Sequence, residues 1–354
     1  MSSSAHQTSG ETKPLGSGTA AELREASAAV DRQASEIAVP LTELVTSLVR
    51  RSPALAVTCA RGSSAHAATF AKHAIERYLG IPVAAAAPNI ATIYRRELRL
   101  KDQLFLAISQ SGSSDDLIEA ATAARAAGAV TAAMVNDPRS ALASVCEFVL
   151  PMAAGPEHNV AATKTFVASL AAILRLTARW AGRDDISAAC DRLPARLARA
   201  AEVNWLQALP LLAAAGSLVV IGRGPTLAIA REAALKLKET CSMHAEAFSS
   251  AEFRHGPIAL VTRNYPVLVL TPTDESAEGF SDLVADLRGK GACVLVAESG
   301  ETQRCPLPVL APDQPETDAI CLVQSFYGFL VHLAARRGID ADHPRHLQKV
   351  TRTR

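Results

Sequence analysis

Two halves of this chain spell the same pattern, and that repeat limits the possible fold more than any other feature. An apolar run at Leu55–Thr58 leads into Ala60-Arg61-Gly62-Ser63-Ser64 and a helical stretch from Ala65 to about Tyr78. A second run at Ser217–Ile221 leads into Gly222-Arg223-Gly224-Pro225-Thr226 and a helical stretch to about Glu239, so that Arg61 and Arg223 stand 162 positions apart. The same offset carries Leu104–Ile108, the loop Ser109–Ser114 and a helix Asp115–Ala127 onto Val267–Leu270, the loop Thr271–Ser276 and a helix to about Lys290. A further strand follows in each half, at Val130–Val135 and Ala292–Val296. One offset that aligns several strand–loop–helix junctions means two copies of one domain. Short apolar strands alternating with helices predict an α/β, doubly wound fold, in tandem, each parallel sheet flanked by helices. The expected organisation is a disordered tail at 1–22, a first unit with a leading helix at 23–200, a second unit at 201–340 and a C-terminal loop at 341–354.

In such sheets, ligands sit beyond the carboxyl ends of the strands, at helix N-termini. The loop Ser109-Gln110-Ser111-Gly112-Ser113-Ser114 sits at such a place. Its hydroxyls, its amide, a glycine that lets the backbone come close and the free N–H groups of the following helix suit a phosphate dianion without Lys or Arg. The competing reading is a simple helix cap by Ser113 or Ser114. The twin loop separates the two readings. Both loops could cap a helix, but in the second copy Pro272 lacks an N–H and Asp274 and Glu275 would repel an anion. The first copy is therefore expected to hold phosphate, and the second is free for another task.

That task points to Arg231-Glu232-Ala233-Ala234-Leu235-Lys236-Leu237-Lys238-Glu239, where Glu232, Lys236 and Glu239 share one helical face. A solvated ion-pair face would look the same. Here, however, Ala and Leu surround the charges and the Gly224 turn aims the helix at the ligand edge, where a carboxylate can be tuned for proton transfer. Downstream, His255 precedes a Gly-Pro turn close to carboxylates, a better setting for acid–base work than a periodic helix face. No HExxH and no Cys/His cluster is present, so neither a metal nor another cofactor is expected.

Composition narrows the partners. A net charge of +1 with no basic block excludes nucleic acid and anionic membranes as expected partners, and 49% hydrophobic residues are ample for a core. The seven cysteines have no CxxC spacing and fit no disulfide framework, which predicts a reduced, cytoplasmic protein. The polar N-terminal stretch lacks the features of a signal peptide, and the apolar runs fall short of the roughly 18–20 residues that span a membrane.

Taken together, ARGSS (Ala60–Ser64), SQSG (Ser109–Gly112), NVAATK (Asn159–Lys164), EAALKLKE (Glu232–Glu239), HAEAF (His244–Phe248), HGP (His255–Pro257) and the ending Asp342–Lys349 resemble the isomerase half of glucosamine-6-phosphate synthase. The resemblance runs from about Ala34 to Lys349 and implies two SIS (sugar isomerase) domains. It implies that Ser109, Gln110, Ser111 and Ser114 bind a sugar 6-phosphate, with Ser64 and Val160 nearby. Glu239 would move a proton between C1 and C2, with Lys236 supporting the relay. Lys349 would stabilise the open-chain sugar. His255 would open the sugar ring in a neighbouring subunit, which implies a homodimer.

Two departures shape the expected activity. Residues before Ala34 are too few and too polar for the synthase's glutaminase domain. The expectation is therefore the reverse reaction of stand-alone SIS deaminases: glucosamine 6-phosphate to fructose 6-phosphate and ammonia. Second, Ala162 stands where the synthase has Ser, Ser113 where it has Glu, and the segment after Lys349 is altered. These differences bear on sugar recognition, so galactosamine 6-phosphate and fructosamine 6-phosphate are rival substrates. A non-catalytic sugar-phosphate sensor is the remaining rival, disfavoured because binding alone does not require Glu239, His255 and Lys349.

Overall fold

The computed structural model describes residues 14–299 and 306–349, in which each expected copy folds around a five-stranded parallel sheet. Three helices come first: α1 (Ser17–Arg24), α2 (Ala26–Glu36) and α3 (Ala38–Arg51). The first unit then winds through β1 (Ala56–Ala60), α4 (Gly62–Leu79), β2 (Val83–Ala85), α5 (Asn89–Thr92), β3 (Leu104–Ser109), α6 (Asp115–Ala126), β4 (Val130–Val135), α7 (Ala141–Val145), β5 (Phe148–Pro151) and α8 (Lys164–Ala181). Helices α9 (Asp184–Ala200) and α10 (Leu209–Ala214) lead to the second. It comprises β6 (Ser217–Gly222), α11 (Pro225–Cys241), β7 (His244–Ser249), α12 (Ser250–Arg254), β8 (Pro266–Leu270), α13 (Phe280–Gly289), β9 (Cys293–Ala297), β10 (Pro306–Leu307) and α14 (Pro315–Arg336). The strand orders are β2-β1-β3-β4-β5 and β7-β6-β8-β9-β10, one topology used twice.

Side-chain alternation along the strands decides what each sheet face buries. Leu104, Leu106 and Ile108 of β3 face a core shared by both units, while Phe105 and Ala107 face the opposite way, beneath α6 and α7. The second sheet divides likewise: Leu218 and Val220 of β6 join the shared core, and Val219 and Ile221 pack with Phe280 and Leu283 of α13. Helices α8 and α14 run through the shared core; α14 is long and apolar enough to cross a membrane, but 72% of its most apolar stretch is buried within the protein. That burial accounts for its composition. Alanines on α4 and α11 let the two helices approach each other, and Arg231 Nη1 donates to Thr69 Oγ1 at 3.0 Å. Those two residues are equivalent under the 162-residue offset, so the units are packed about a local twofold axis at α4 and α11.

The strands named from the sequence agree with the observed ones to within two residues. Three differences have physical causes. Helix α4 starts at Gly62 rather than Ala65, which puts Ser63 and Ser64 in its first turn. The stretch after Thr271–Ser276 splits into a 3-10 turn, Glu275–Ala277, and α13, because Asp274 caps the turn by accepting from Ser276 N. Residues 17–22 of the expected tail are helical, in α1, where Thr19 and Glu22 are buried. Of the cysteines, Cys59, Cys146, Cys190, Cys241 and Cys321 are buried and Cys293 is half-buried, all as free thiols; Cys305 lies outside the described residues.

Candidate active site

Two long helices begin at the carboxyl edge of the first sheet, and their N-termini face one cavity of about 310 Å³. Helix α4 contributes Gly62, Ser63 and Ser64, whose N–H groups have no partner within the helix. Helix α6 is entered through the Ser109–Ser114 loop. Gly112 there has φ +60°, and a Cβ on it would lie 2.2 Å from Ser140 Oγ, so the turn requires glycine. Ser109 Oγ accepts from Gly112 N at 3.1 Å, and Ser113 Oγ donates to Ser111 Oγ at 2.9 Å, which holds the loop open toward the cavity. Ser114 is the N-cap residue of α6, but its side chain makes no capping bond. The cap reading of this loop therefore loses its main support, and the hydroxyl is free to face a ligand.

The second unit supplies the opposite wall through α11. Lys236 and Glu239 line the cavity, and Lys236 Nζ lies 2.6 Å from Glu239 Oε2 and 3.5 Å from Glu232 Oε1. Glu232 is fully buried, with bonds from Ser63 Oγ (3.0 Å), Tyr327 OH (3.0 Å) and His66 Nδ1 (2.9 Å). Burial opposes its ionisation, yet Lys236, His66 and Tyr327 together hold the carboxyl below the usual carboxylate range. Burial likewise opposes the charge on Lys236, and Glu232 and Glu239 overcome it, so the ammonium is held above its ordinary value. Burial and the neighbouring Glu232 push the Tyr327 hydroxyl well up, which keeps it a donor. The outcome is a desolvated but fixed charge array that presents Glu239, its most exposed member, to the cavity.

The C-terminal loop closes a third side with Leu347, Gln348 and Lys349. Lys349 Nζ donates to Glu157 Oε2 at 3.3 Å and to the carbonyl of Asn159. Glu157 is itself buried and accepts from Thr163 N (3.0 Å), Thr165 N (3.2 Å) and Thr165 Oγ1 (2.6 Å). Val160 and Ala162 complete that wall.

Ser64, Ser109, Gln110, Ser111, Ser114, Val160, Lys236, Glu239 and Lys349 line one cavity. His255 does not join them: it ends α12 on an exposed surface of its own chain and is not among the lining residues. Nothing in the local sequence marks Glu157, His66 or Tyr327 as parts of the site. Their contacts with Lys349 and Glu232 span 192, 166 and 95 positions, and no local pattern could show them.

At the twin position the pocket is filled from inside. Arg77, the offset mate of Glu239, reaches the loop Thr271–Ser276 and donates to Asp274 Oδ2 (2.5 Å), Glu275 Oε1 (3.0 Å) and the buried Glu316 Oε1 (3.0 Å). The charges are inverted relative to the first copy. There a carboxylate faces a loop suited to an anion; here a guanidinium faces a loop that carries carboxylates.

A family model for the SIS domain matches residues 54–179 and 211–335, the two sheet-forming units. The chain belongs to the SIS-domain family. This SIS protein is 32% identical over 338 residues to the isomerizing glutamine–fructose-6-phosphate aminotransferase of Zymomonas mobilis, covering 89% of this chain and 54% of that one. It is 35% identical over 307 residues to the aminotransferase of the same name from Symbiobacterium thermophilum, covering 81% of this chain and 50% of that enzyme. The chain thus spans about half the length of these relatives. Among solved structures, a provisionally named phosphosugar isomerase of Silicibacter pomeroyi matches with a TM-score of 0.88 and 39% identity, over 92% of this chain and 99% of its own. A glucosamine-6-phosphate deaminase of Thermotoga maritima shares the fold at a TM-score of 0.77 and 22% identity, over 95% and 100% of the two chains.

Proposed function

We propose that this SIS protein isomerises and deaminates an amino sugar 6-phosphate, with glucosamine 6-phosphate as substrate and fructose 6-phosphate and ammonia as products. The observation that carries the reading is the position of Glu239. Its carboxylate is held by Lys236 at 2.6 Å, in the same cavity as the hydroxyl loop and the two helix N-termini. A phosphate seated on Ser109–Ser114 anchors one end of an open-chain hexose and leaves C1 and C2 near α11.

Glu239 takes the proton from C2 of the open-chain aldehyde, and electrons move through C1 onto O1, which accepts a proton. Return of a proton to C1 gives the C2 iminium. Water adds to C2, and the nitrogen leaves as ammonia with C2 now a ketone. Lys236 and Lys349 supply positive charge for the oxygen that becomes anionic. From the open-chain sugar onward, every step uses groups that line this cavity plus water.

Ring opening is assigned, on the family resemblance, to His255 of a second copy; this chain's own His255 is exposed and does not line its cavity. A homodimer is therefore part of the proposal. The test is incubation with glucosamine 6-phosphate while ammonia and fructose 6-phosphate are followed in parallel, with galactosamine 6-phosphate and a fructosamine 6-phosphate as comparison substrates. Equimolar ammonia and fructose 6-phosphate support the proposal. Turnover of a comparison sugar alone would replace the substrate and retain the chemistry.

A further inference from the structure

Helix α1 lies outside both SIS units, yet it touches both segments that hold Lys349. The C-terminal loop caps it: Asp342 accepts from Gly18 N (2.8 Å), Thr19 N (2.7 Å) and Thr19 Oγ1 (2.7 Å), and Asp340 accepts from Gly16 N (3.0 Å). One turn later the Glu22 carboxylate accepts from His158 N (2.5 Å) and Asn159 N (3.4 Å). Glu25, on the next turn, pairs at 2.5 Å with Lys164, which is almost wholly buried. The segment so gripped, 157–164, supplies Glu157 and the Asn159 carbonyl to Lys349 and Val160 and Ala162 to the cavity wall.

Close approach is built in. A Cβ on Gly18 would lie 2.9 Å from Asn159 Oδ1 and 3.0 Å from Asp342 Oδ2. Glu22 is only 6% exposed, so a carboxylate has been desolvated here where an apolar residue would pack at lower cost. Charge-assisted bonds to two successive backbone amides offset that cost and fix the peptides on both sides of His158. They thereby place the Cα of Asn159, whose carbonyl, on the next peptide, is an acceptor for Lys349.

We propose that Glu22 is a positioning residue for the active site: with the Asp342 cap, it orients the Glu157–Asn159 segment that holds Lys349 against the cavity. Glu22 touches no substrate and acts through Asn159. The inference rests on the assignment of this cavity as the sugar-phosphate site, but its main readout needs no substrate.

The full-length protein and its Glu22→Gln variant are treated briefly with an amine-acylating reagent, and labelling of each lysine is read by peptide mass spectrometry. Lys349 is expected to label at least threefold faster in the variant, while Lys290, on the far surface, is unchanged. With glucosamine 6-phosphate, kcat is expected to fall at least tenfold with KM changed less than threefold, because phosphate anchoring is untouched. Gly18→Ala, whose methyl presses α1 away from Asn159 Oδ1 and Asp342 Oδ2 without removing a charge, provides the second variant should Glu22→Gln not fold, and is expected to raise Lys349 labelling in the same sense. Unchanged Lys349 labelling in a folded variant overturns the proposal. Faster labelling with no turnover of glucosamine 6-phosphate by the parent protein upholds it and rejects the substrate assignment instead.

Discussion

Replacing Glu232 by Gln removes a negative charge from a site that water does not reach and leaves Lys236, only 1% exposed, with Glu239 as its remaining hydrogen-bonded carboxylate. Removing one member of a buried pair costs about 3–5 kcal/mol, because the other charge stays desolvated. Ser63, Tyr327 and His66 also lose a charged acceptor, at distances of 3.0, 3.0 and 2.9 Å. Gln Oε1 can still accept one of those bonds, so the loss is expected to stay within that range. At about 2 °C per kcal/mol for a large domain, the midpoint of thermal unfolding at pH 7 falls by about 6–10 °C.

The pH dependence has a definite sign. The folded Glu232 carboxyl sits below its ordinary 4.5: burial opposes the charge, and Lys236 and His66 more than compensate. Its stabilisation is therefore complete above that value and is lost as pH falls through the lower folded value. Lys236 is held above its ordinary 10.5 against burial by Glu232 and Glu239, so its contribution is complete below 10.5 and is lost as pH rises through the folded value. The gap between parent and variant is thus present at pH 7 and narrows through the acid range below Glu232's ordinary 4.5. Differential scanning calorimetry across that range measures it. A gap under about 2 °C at pH 7, or one that widens in acid, would refute the electrostatic account of this cluster.

Three further outcomes follow from the same geometry. Replacing Ser109 and Ser111 together by Ala removes the loop's bond to Gly112 N and a hydroxyl facing the cavity; bonds to a dianion are worth about 1.5–3 kcal/mol each, so KM should rise at least about tenfold with kcat nearly unchanged, by initial-rate kinetics. Gly112→Ala places a methyl 2.2 Å from Ser140 Oγ in a left-handed turn, and is expected to cost about 1–3 kcal/mol in urea unfolding and to abolish competitive inhibition by inorganic phosphate. Arg77→Met leaves the buried Glu316 and the enclosed Asp274 without their guanidinium; stability should drop by about 3 kcal/mol while KM stays within twofold, since the plugged twin pocket takes no substrate.

The duplicated fold was legible because both copies kept their strand–loop–helix junctions in phase, and the phosphate loop was legible because its twin had visibly lost the same chemistry at Pro272, Asp274 and Glu275. What filled the twin was not legible: Arg77 reads as an ordinary helix-end residue until it meets Asp274, 197 positions away. Helix α1 was missed because the Ser- and Gly-rich start outweighed the short Ala-Ala-Glu-Leu-Arg run, and its N-terminal caps, Asp340 and Asp342, lie more than 320 positions downstream. The Glu232, Lys236 and Glu239 face could be seen from helical spacing. That it is buried rather than solvated depended on Ser63, His66 and Tyr327, which tertiary packing alone brings to it.

The central claim is that Glu239 breaks the C2–H bond of an amino sugar phosphate. Glucosamine 6-phosphate deuterated at C2 tests it in one reaction, followed by NMR together with ammonia release. The account predicts fructose 6-phosphate and equimolar ammonia, with the deuterium removed from C2 to C1 or to water, a primary isotope effect on turnover, and no reaction with Glu239→Gln. Ammonia released with deuterium still on C2 of an aldohexose phosphate, or a fully active Glu239→Gln variant, would contradict it.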